Sequence, residues 1–509
     1  MLNTDNKNNF IFEYEDVLIN VRGGLNDNNQ DSLGVTLKIQ KQDSYRNCRE
    51  TINLSNGNQT EKLIVRVSEQ LEIHHDTLRG ALSELADELE DYRDNNQLND
   101  NRATTSYSLS EVDEEEALKF LKSPDLMIKT NKLIGQSGIV GEEINRLLMY
   151  LIFTSRITNK PLHCISFGSS GVGKTHLQSK VSQLIPNEDK IEITQLTPKA
   201  LYHFTQYQLM NKIILIEDME ALNSESLLAI REIQSKGKIS KASPTMNING
   251  HIRTYNKVVE GPVCISGCTT QESIYEDNAN RSFLIYIDES TEQDERIMAY
   301  QRKKYAGKIN EGVELQSIKQ LKNTQRLLKQ IKVINPFAEH LILPKQVFKP
   351  RRTNLHWLQL IEVITFYHQF QREKHRNEIT GEEYIETTLE DIQWSVKLIK
   401  DVLLRKSDTL NRVTRDYFES LKKFLSVKNT KIYNNREIRK ELRIDESTLR
   451  RYHRLLINEG YIKKRDDIKG DSFHYEVLDI NEFEALETAI EKALQTCIDL
   501  VSSSEVRQS

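Results

Sequence analysis

The segment GSSGVGKT has residue types and spacing suited to holding the phosphates of a nucleotide. Its glycines allow backbone N–H groups to curl around phosphate oxygens without clashes from a Cβ atom. Lys174 would place a positive charge beside the β- and γ-phosphates, and the Thr175 hydroxyl would face Mg²⁺. A chance glycine-rich turn is the alternative, but the Lys-Thr pair argues against it. The predicted nucleotide contacts are Gly168, Ser169, Ser170, Gly171, Val172, Gly173, Lys174, Thr175 and His176.

An acidic pair follows an apolar run about forty residues further along the chain. Glu217 and Asp218 come directly after the run, and Glu220 adds a third acid. Next to a phosphate loop, one carboxylate orients the Mg²⁺ shell and another polarises the attacking water. The usual order is Asp then Glu, and here it is reversed. We favour Glu217 near the metal and Asp218 near the water, and the opposite assignment stays open. The predicted metal-binding residues are Thr175, Glu217 and Asp218.

These residues must be positioned by buried strands that end at one edge of a sheet. The runs LHCISF, KIILIED, PVCISG and SFLIYID are short and apolar, so they predict buried strands. The phosphate motif follows the first run and opens the helical pattern HLQSKVSQLI. Strands that alternate with helices indicate an α/β fold with a parallel sheet, whose ligands bind at the carboxyl ends of the strands.

The length of 509 residues exceeds what one hydrophobic core supports, so several domains are expected. Alternating apolar segments followed by helical spacing predict an N-terminal α+β domain, and a polar aperiodic stretch predicts a linker after it. The predicted boundaries are 1–93 for the α+β domain, 94–110 for the linker, 111–160 for a helical segment before the core, 161–295 for the α/β core, 296–411 for a helical lid, 412–479 for a winged helix and 480–509 for a helical tail.

The composition of the chain favours a soluble globular protein over a membrane, exported or zinc-binding one. Charged residues make up 28% of the chain and its mean hydropathy is -0.58, values typical of a soluble globular protein. No apolar run approaches the roughly 20 residues that span a bilayer, and the N-terminus shows no export signal. The five cysteines complete no zinc motif, so buried free thiols are expected. We expect a cytoplasmic protein with no membrane partner.

From Gly141 to Asn411 the chain resembles the AAA+ ATPases, and within them the minichromosome maintenance (MCM) replicative helicases. The stretch EDMEAL resembles the acidic signature of that family. The stretch REIQSKGKISKA is similar to its helix and hairpin with a DNA-contacting lysine, which Lys241 matches. The run CISGCTT resembles the sensor-1 strand, with Thr269 or Thr270 in the place of an Asn. The resemblance implies an AAA+ core with ATP and Mg²⁺ as cofactors.

Two arginine segments also carry the resemblance. RSFLIYID is similar to the arginine-finger segment, which implies that Arg281 reaches the γ-phosphate bound by a neighbouring subunit of a ring, most simply a hexamer. PRRTNL resembles the sensor-2 context, with Arg351 or, preferably, Arg352 facing the nucleotide. The alternatives are a structural arginine in the first segment and a basic surface patch in the second. The expected catalytic residues are Lys174, Glu217, Asp218, Thr269, Arg281 and Arg352.

Some features depart from MCM helicases. Only about forty residues separate the phosphate loop from the acidic strand, so a second pore hairpin is expected to be absent or very short. The N-terminal unit does not resemble the DNA-binding collar of that family. The stretches VRGGLNDNNQDSLGVTLKI and EEALKFLKSPDLM resemble primase–helicase proteins of mobile genetic elements. The zinc-finger and primase modules of those proteins are not recognisable here, so a separate primase or initiator is the expected partner.

The segment Asn411–Tyr475 holds 17 Lys and Arg residues against 10 Asp and Glu residues, a balance suited to a polyanion. Its pattern of helix, strand, two helices and hairpin predicts a winged helix. Leu449, Tyr452 and Leu456 share one helical face and should pack inward. Protein contacts, a capping role in a ring, or simple solvation of the arginines are the alternatives. The predicted DNA contacts are Lys241, Ser447, Arg450, Arg451, Arg454, Lys463 and Lys464.

Three functions are compatible with these features. We favour an ATP-driven DNA helicase or translocase for replication of a plasmid or mobile element, with single-stranded DNA in the pore and duplex DNA at the winged helix. An AAA+ remodeller, loader or defence ATPase that acts on a protein is the second, and a DNA-binding regulator that uses ATP as an assembly switch is the third. The predicted hairpin, SKASPTMNINGHIRTYNK, is basic and lacks an aromatic–glycine pair, which favours DNA over protein as the substrate.

Overall fold

The computed structural model describes residues 2–4, 9–23, 25, 33–42, 44–100, 109–197, 199–246, 252–271, 280–345, 347, 349–410, 412–465, 473–478 and 481–508. Within these, the chain divides into two compact units. The first comprises residues 1–108, 201–209 and 238–260, and the second comprises residues 109–200, 210–237 and 261–509.

The first unit contains an antiparallel sheet in which β1 to β5 pair in chain order. Alternate side chains point inward because successive residues of a strand face opposite sides, so Phe10 and Phe12 are buried, as are Val17 and Ile19. Two helices share this core. The elements are β1 (Leu2–Asn3), β2 (Asn9–Tyr14), β3 (Val17–Arg22), β4 (Gly34–Lys41), β5 (Asn47–Asn53), α1 (Gly57–Leu71) and α2 (His75–Asp100).

The helix α2 extends further than its sequence suggests. The polar composition after Arg93 predicts a linker, yet the helix continues to Asp100. Each residue added to an existing helix forms one more hydrogen bond. A helix whose first turns are packed in the core can therefore continue through polar residues. Residues 101–108 of the predicted linker lie outside the described residues.

A hairpin of two strands, β9 (Lys238–Met246) and β10 (Ile252–Glu260), groups with the first unit. The strands pair antiparallel from Lys238 opposite Glu260 to Met246 opposite Ile252. The hairpin begins directly after Gly237, whose φ of 67° suits a residue without a Cβ atom. Residues 247–251, between the two strands in the chain, lie outside the described residues.

The second unit is built on a parallel sheet with the strand order β12-β6-β11-β8-β7. Every neighbouring pair in this sheet is parallel, which confirms the predicted α/β phosphate-loop core. The four apolar runs form β6, β8, β11 and β12, whereas the sequence did not predict β7. The strands are β6 (Cys164–Phe167), β7 (Lys190–Ile193), β8 (Lys212–Ile216), β11 (Val263–Thr269) and β12 (Phe283–Tyr286).

Helices surround this sheet. Helix α5 is apolar on all sides and is buried from Arg146 to Thr154, as expected of a helix at the centre of a large core. The elements around and after the sheet are α3 (Glu111–Leu121), α4 (Leu126–Gln136), α5 (Glu143–Thr154), α6 (Lys174–Ser182), α7 (Ser224–Lys236), α8 (Thr291–Tyr305), α9 (Glu311–Leu327), β13 (Lys332–Ile334), α10 (Pro350–Tyr367), β14 (His375–Arg376), β15 (Glu383–Glu386) and α11 (Leu389–Ser407).

The C-terminal elements build a small core of their own around a sheet with the order β16-β18-β17. Leu449, Tyr452 and Leu456 are buried there, which confirms the predicted inner face of their helix. The final helix packs Ile490 and Leu494 into the main core instead. The elements are α12 (Arg412–Lys428), β16 (Ile432–Asn434), α13 (Asn435–Glu441), α14 (Glu446–Asn458), β17 (Ile462–Arg465), β18 (His474–Val477) and α15 (Glu482–Gln508).

The length and apolar content of a helix decide whether it can cross a membrane. Among the helices of the described residues, none combines the length and the apolar content that a bilayer span requires. All five cysteines are buried and free, as the sequence predicts.

Candidate nucleotide site

The phosphate loop connects β6 to α6. Gly171 and Gly173 have φ values of 86° and 102°, a region that residues with a Cβ atom avoid, so these two positions require glycine. Lys174 is the first residue of α6, and its Nζ donates to the carbonyl oxygens of Gly168 at 2.8 Å and Ser169 at 2.7 Å. The lysine is thereby held across the mouth of the loop at the N-terminus of a helix, where anions bind.

The side chains along the loop face outward. Ser169, Ser170, Thr175 and His176 are all exposed, while Gly168, Val172 and Gly173 are half-buried. Partial desolvation by the surrounding protein lowers the pKa of the exposed His176, and the charges of Lys180 and Lys304 add to that effect. A neutral imidazole at the start of α6 avoids a like-charge contact with the neighbouring lysines.

An acidic side chain that the sequence did not predict contacts the loop. Glu289 follows β12, and its two carboxylate oxygens accept from the Ser169 N–H at 2.9 Å and the Ser169 hydroxyl at 2.8 Å. A Cβ atom at Gly168 would lie 2.7 Å from Val172 Cγ2 and 3.2 Å from Glu289 Oε1. The loop therefore needs glycine at its first position, and a carboxylate lies against one of its N–H groups.

The acidic pair stands at the end of β8, at the same edge of the sheet. Glu217 and Asp218 are both exposed, and a backbone N–H bond at 2.8 Å fixes Asp218 Oδ1. Parallel pairing places the carboxyl end of β11 between the ends of β6 and β8. The predicted phosphate-binding and acidic residues are thus brought to one edge.

A buried thiol lies beneath these groups. Burial raises the pKa of Cys268 to about 12, while a hydrogen bond with Thr175 and the charge of Lys174 act in the opposite direction. The charges of Glu217 and Asp218 raise the same pKa. Thr175 lies in the first turn of α6, after β6, and the two carboxylates follow β8, so all three belong to the same edge of the sheet. A hydroxyl and two carboxylates are oxygen ligands of the kind Mg²⁺ prefers, so these side chains fit the ion.

Gln178 connects the elements that meet at this edge. From α6, its Oε1 accepts from Ser266 Oγ at 2.8 Å and from Cys268 Sγ at 3.4 Å, both on β11. Its Nε2 donates to the Ile216 carbonyl of β8 at 3.3 Å. This buried amide satisfies its polar groups with two strands and thereby fixes the helix that begins at the loop.

Thr269, the predicted sensor-1 residue, lies at the end of β11. Its hydroxyl donates to Glu220 Oε1 at 3.2 Å and accepts from the Gln271 N–H at 3.1 Å. Thr270 contacts the same carboxylate. These hydrogen bonds, led by that of the Thr270 hydroxyl, lower the pKa of Glu220. The sequence analysis identified Glu220 as a third acid, but it did not predict the hydrogen-bond donors that contact its carboxylate.

Arg281 lies away from the phosphate loop of its own chain. It precedes β12, which pairs in parallel with β6 from Phe283 opposite Cys164 to Tyr286 opposite Phe167. At about 3.3 Å per residue, the four residues of this pairing separate the two edges by roughly 13 Å. Arg281 Nε donates to Ser235 Oγ of α7 at 2.7 Å, at the amino edge of the sheet.

Arg352 lies at that amino edge as well. The ring of His356, one helical turn later in α10, stacks on Phe283 at 5.4 Å. Burial and the charges of Lys406, His163 and Arg352 lower the pKa of His356 to about 3. Arg352 is exposed, and so is Arg351. Arg281, just before β12, and Arg352, one helical turn before His356, are both associated with the end of the sheet at which Phe283 begins β12.

Two lysines face each other on the hairpin. Lys241 of β9 lies directly opposite Lys257 of β10, and both are half-buried. The sequence predicted a DNA contact only for Lys241. Lys257 could have been found from the same pattern, because antiparallel pairing around a turn near 249 places these positions across from each other.

The residues of helix α14 that are predicted to contact DNA differ in whether an acidic side chain of the same chain already binds them. Arg450 forms an ion pair with Glu446, and the Ser447 hydroxyl donates to Asp445 at 2.6 Å. Arg451 and Arg454 are exposed on the same helix. The sequence missed His453, which is only 2% exposed.

His453 lies among aromatic groups between the helix and the sheet. The hydroxyls of Tyr417 and Tyr433 contact its Nε2 at 2.7 and 3.2 Å. Lys463 and Lys464 on β17 are exposed, with Lys464 Nζ 4.6 Å from the centre of the Phe473 ring. Residues 466–472 of the predicted winged helix lie outside the described residues.

Comparison with known families supports the central part of this site. The family model described as "MTBMA_p00010 P-loop domain" matches residues 111–330. No curated protein matches the chain at a significant level. The matched region contains the phosphate loop, the acidic pair, Thr269 and Arg281, and it ends before Arg352. The chain therefore contains a P-loop domain, which is consistent with nucleotide binding and with nucleotide hydrolysis.

Proposed function

We propose that the protein is an ATP-driven DNA helicase or translocase that works as a ring, in which each nucleotide lies between two copies of the chain. The observation that carries this proposal is the separation of two groups of residues. The phosphate loop and the acids lie at the carboxyl edge of the sheet, whereas Arg281 and Arg352 lie at the amino edge. Successive copies in a head-to-tail ring can pair one edge with the other.

The residues at the two edges have complementary chemistry. Lys174 and the loop N–H groups would bind the phosphates, and Thr175 with Glu217 would hold Mg²⁺, which would neutralise phosphate charge. Asp218 accepts a hydrogen bond from the water that attacks the γ-phosphate and orients that water. Arg281 of the adjacent copy stabilises the charge that develops on the γ-phosphate oxygens, and Arg352 adds a second cation.

The hairpin supports DNA as the substrate. Lys241 and Lys257 are cross-strand partners, so the hairpin carries two lysines side by side. Adjacent lysines suit the phosphate backbone of DNA, whose binding releases counterions. We propose that these lysines grip single-stranded DNA in the pore, with hydrolysis driving the movement.

The C-terminal module, proposed to be a winged helix, supports contact with duplex DNA. Arg451, Arg454 and Lys463 are exposed and basic, so they suit phosphate oxygens or base edges. A ring with these properties would serve replication of a plasmid or mobile element, together with a separate primase or initiator.

One observation favours the second candidate, an AAA+ ATPase that remodels or loads a protein. Glu446 pairs with both Arg439 and Arg450, so part of the basic charge near α14 is neutralised within the module. A surface of balanced charge suits a protein partner better than it suits a polyanion. Stimulation of turnover by a protein and not by DNA would identify this function.

A mixing experiment tests the composite site. Lys174→Ala and Arg281→Ala are each expected to abolish ATP turnover, but a one-to-one mixture should restore it at about one quarter of the interfaces, because loop and finger then come from different copies. Each variant on its own, at the same total concentration as the mixture, is the control. A monomer in the presence of ATP and DNA, with no recovery on mixing, would reject the ring.

Strand displacement on forked DNA tests the substrate. Lys241→Ala should abolish DNA stimulation of turnover and weaken DNA binding about 10-fold, because a phosphate contact is lost. Lys303→Ala, which removes an exposed lysine of α8, is the matched control and should leave both unchanged. Unwinding by the Lys241 variant at the wild-type rate would contradict a DNA-gripping hairpin.

A further inference from the structure

Glu220 forms an unusual concentration of hydrogen bonds at the carboxyl edge of the sheet. Its Oε1 accepts from the Thr269 hydroxyl at 3.2 Å, from the Thr270 N–H at 2.7 Å and from the Thr270 hydroxyl at 2.6 Å. Its Oε2 accepts from Gln271 Nε2 at 3.3 Å. Four donors from three consecutive residues therefore converge on one carboxylate.

The turn that carries Glu220 is itself docked on β11. Met219 is 2% exposed, and its N–H donates to the Cys268 carbonyl at 3.0 Å. A Cβ atom at Gly267 would lie only 2.4 Å from Met219 Sδ, so the missing side chain on β11 makes room for this methionine. Glu220 thus projects from an anchored turn, and its position is set by packing.

The same residue also contacts the acidic pair. Through its backbone N–H, Glu220 donates to Asp218 Oδ1 at 2.8 Å. Through its side chain it holds Thr269, which lies opposite Phe167, the residue directly before the phosphate loop. One residue therefore links the predicted water-orienting acid, Asp218, to the predicted sensor-1 residue, Thr269.

We propose that Glu220 is a positioning residue that fixes the Thr269–Gln271 segment beside the reacting phosphate and so sets the rate of hydrolysis without contributing to nucleotide affinity. The proposal rests on the nucleotide-hydrolysing function proposed above. Because both carboxylate oxygens of Glu220 are occupied by donors from this segment, the residue acts through Thr269 and Thr270 rather than on the attacking water.

The experiment compares the alanine and glutamine variants at this position. Glu220→Ala removes every acceptor, and kcat should fall about 10- to 100-fold, as is typical when a group that orients a ligating or reacting residue is lost. The KM for ATP and the Kd for a fluorescent ATP analogue should change less than about 3-fold if affinity is unaffected. Glu220→Gln keeps one carbonyl oxygen for three of the donors, so its kcat should recover to within about 10-fold of wild type.

Glu225→Ala is the matched control, since Glu225 is an exposed acid in the first turn of α7. It should match wild type in every measurement. Hydrogen–deuterium exchange of peptides covering 268–272 gives a readout independent of turnover. The Thr270 amide should exchange faster in Glu220→Ala and stay protected in Glu220→Gln, because only the alanine lacks an acceptor.

Three outcomes would overturn the positioning role. Turnover by Glu220→Ala at the wild-type rate would show that the segment needs no support. Equal loss in the alanine and glutamine variants with unchanged exchange would make Glu220 a direct participant in the chemistry. Loss of nucleotide binding together with a lower melting temperature would make it structural. If wild type binds ATP without hydrolysing it, the proposed function fails and the rate role fails with it, whereas the exchange result still decides whether Glu220 holds the segment.

Discussion

The two edges of the parallel sheet satisfy their charged side chains in opposite ways. At the carboxyl edge, carboxylates are held by donors of the same chain, as Glu220 is by Thr270 and Glu289 is by Ser169. At the amino edge, cations collect together. Burial, with the charges of Arg352 and Lys349, lowers the pKa of Lys406 to about 8.

The two edges therefore differ in the sign of the charge that they gather. In the ring proposed above, the phosphates of a nucleotide held at the carboxyl edge of one copy would lie against the cations of the next copy and offset their mutual repulsion. Removing charge from each edge, and measuring stability and turnover separately, tests this difference.

The largest expected effect is at the amino edge. Arg281→Ala should lower ATP turnover about 1000-fold or more, because a trans-acting arginine stabilises charge in the transition state. Nucleotide binding should persist, since Arg281 lies away from the phosphate loop of its own chain. Single-turnover hydrolysis and equilibrium binding of a fluorescent ATP analogue measure the two quantities.

Arg302→Ala is the control for that variant, because Arg302 is an exposed arginine of α8. It should behave as wild type. If Arg281→Ala instead weakens ATP binding and leaves the rate of the bound complex unchanged, the arginine acts as a structural group and the two edges do not form one site.

The sequence predicted the carboxyl edge well where the chemistry is local. The phosphate loop is contiguous, so Lys174 and Thr175 could be assigned from spacing alone, and the apolar run before Glu217 identified its strand. The contacts that hold this edge were not predicted. Glu289 binds Ser169, 120 residues away in the chain, and Glu220 binds Thr270, 50 residues away. Such contacts depend on the order of the strands in the sheet, which the periodicity of the sequence does not specify.

The amino edge was harder to predict for a related reason. The motif around Arg352 suggests a residue that faces a nucleotide, but it does not say which copy supplies that nucleotide. The answer depends on how α10 packs, and that packing is set by the stacking of His356 on Phe283, 73 residues away in the chain. Neutral burial of His356 and His453 also escaped prediction, because a histidine in a basic helix looks like a surface residue.

A smaller effect is expected from the pH dependence of Lys406. The pKa of Lys406 in the folded protein, about 8, lies below the usual lysine value of 10.5, so the charged form destabilises the fold at pH 7 and the penalty disappears as the pH rises through this window. Relative to Lys406→Met, wild type should gain roughly 1–2 kcal/mol of unfolding free energy between pH 7.5 and pH 10.5, allowing for partial solvent contact. Urea unfolding at both pH values measures the gain.

Lys400→Met on the same helix is the matched control with the opposite sign. Glu491 raises the pKa of Lys400, so the stabilisation from its charge is present at neutral pH and is lost as the pH rises. If Lys406→Met is stabilised at pH 7.5 and also turns over ATP more slowly, the cations at this edge serve function at the expense of stability. A variant that is stabilised with full turnover would remove Lys406 from the composite site.

The smallest effect concerns the carboxylate against the loop. Glu289→Gln keeps an acceptor for Ser169 but removes a negative charge beside the phosphate position, so ATP should bind about 5-fold more tightly, equivalent to roughly 1 kcal/mol of repulsion at a solvent-exposed site. Titration of a fluorescent ATP analogue at low and high salt measures this, and salt should reduce the difference. Glu292→Gln, in the first turn of α8, is the control for a general loss of charge.

The direction of the change separates two roles for Glu289. Tighter binding means that the Glu289 carboxylate competes with phosphate for the N–H groups of the loop. Nucleotide must then displace this carboxylate when it binds. Weaker binding means that the contact of Glu289 with Ser169 holds the loop in its binding shape, as Gln178 does from beneath. In that case internal contacts prepare the carboxyl edge for nucleotide, and in the proposed ring only the amino edge would depend on charges supplied by another copy.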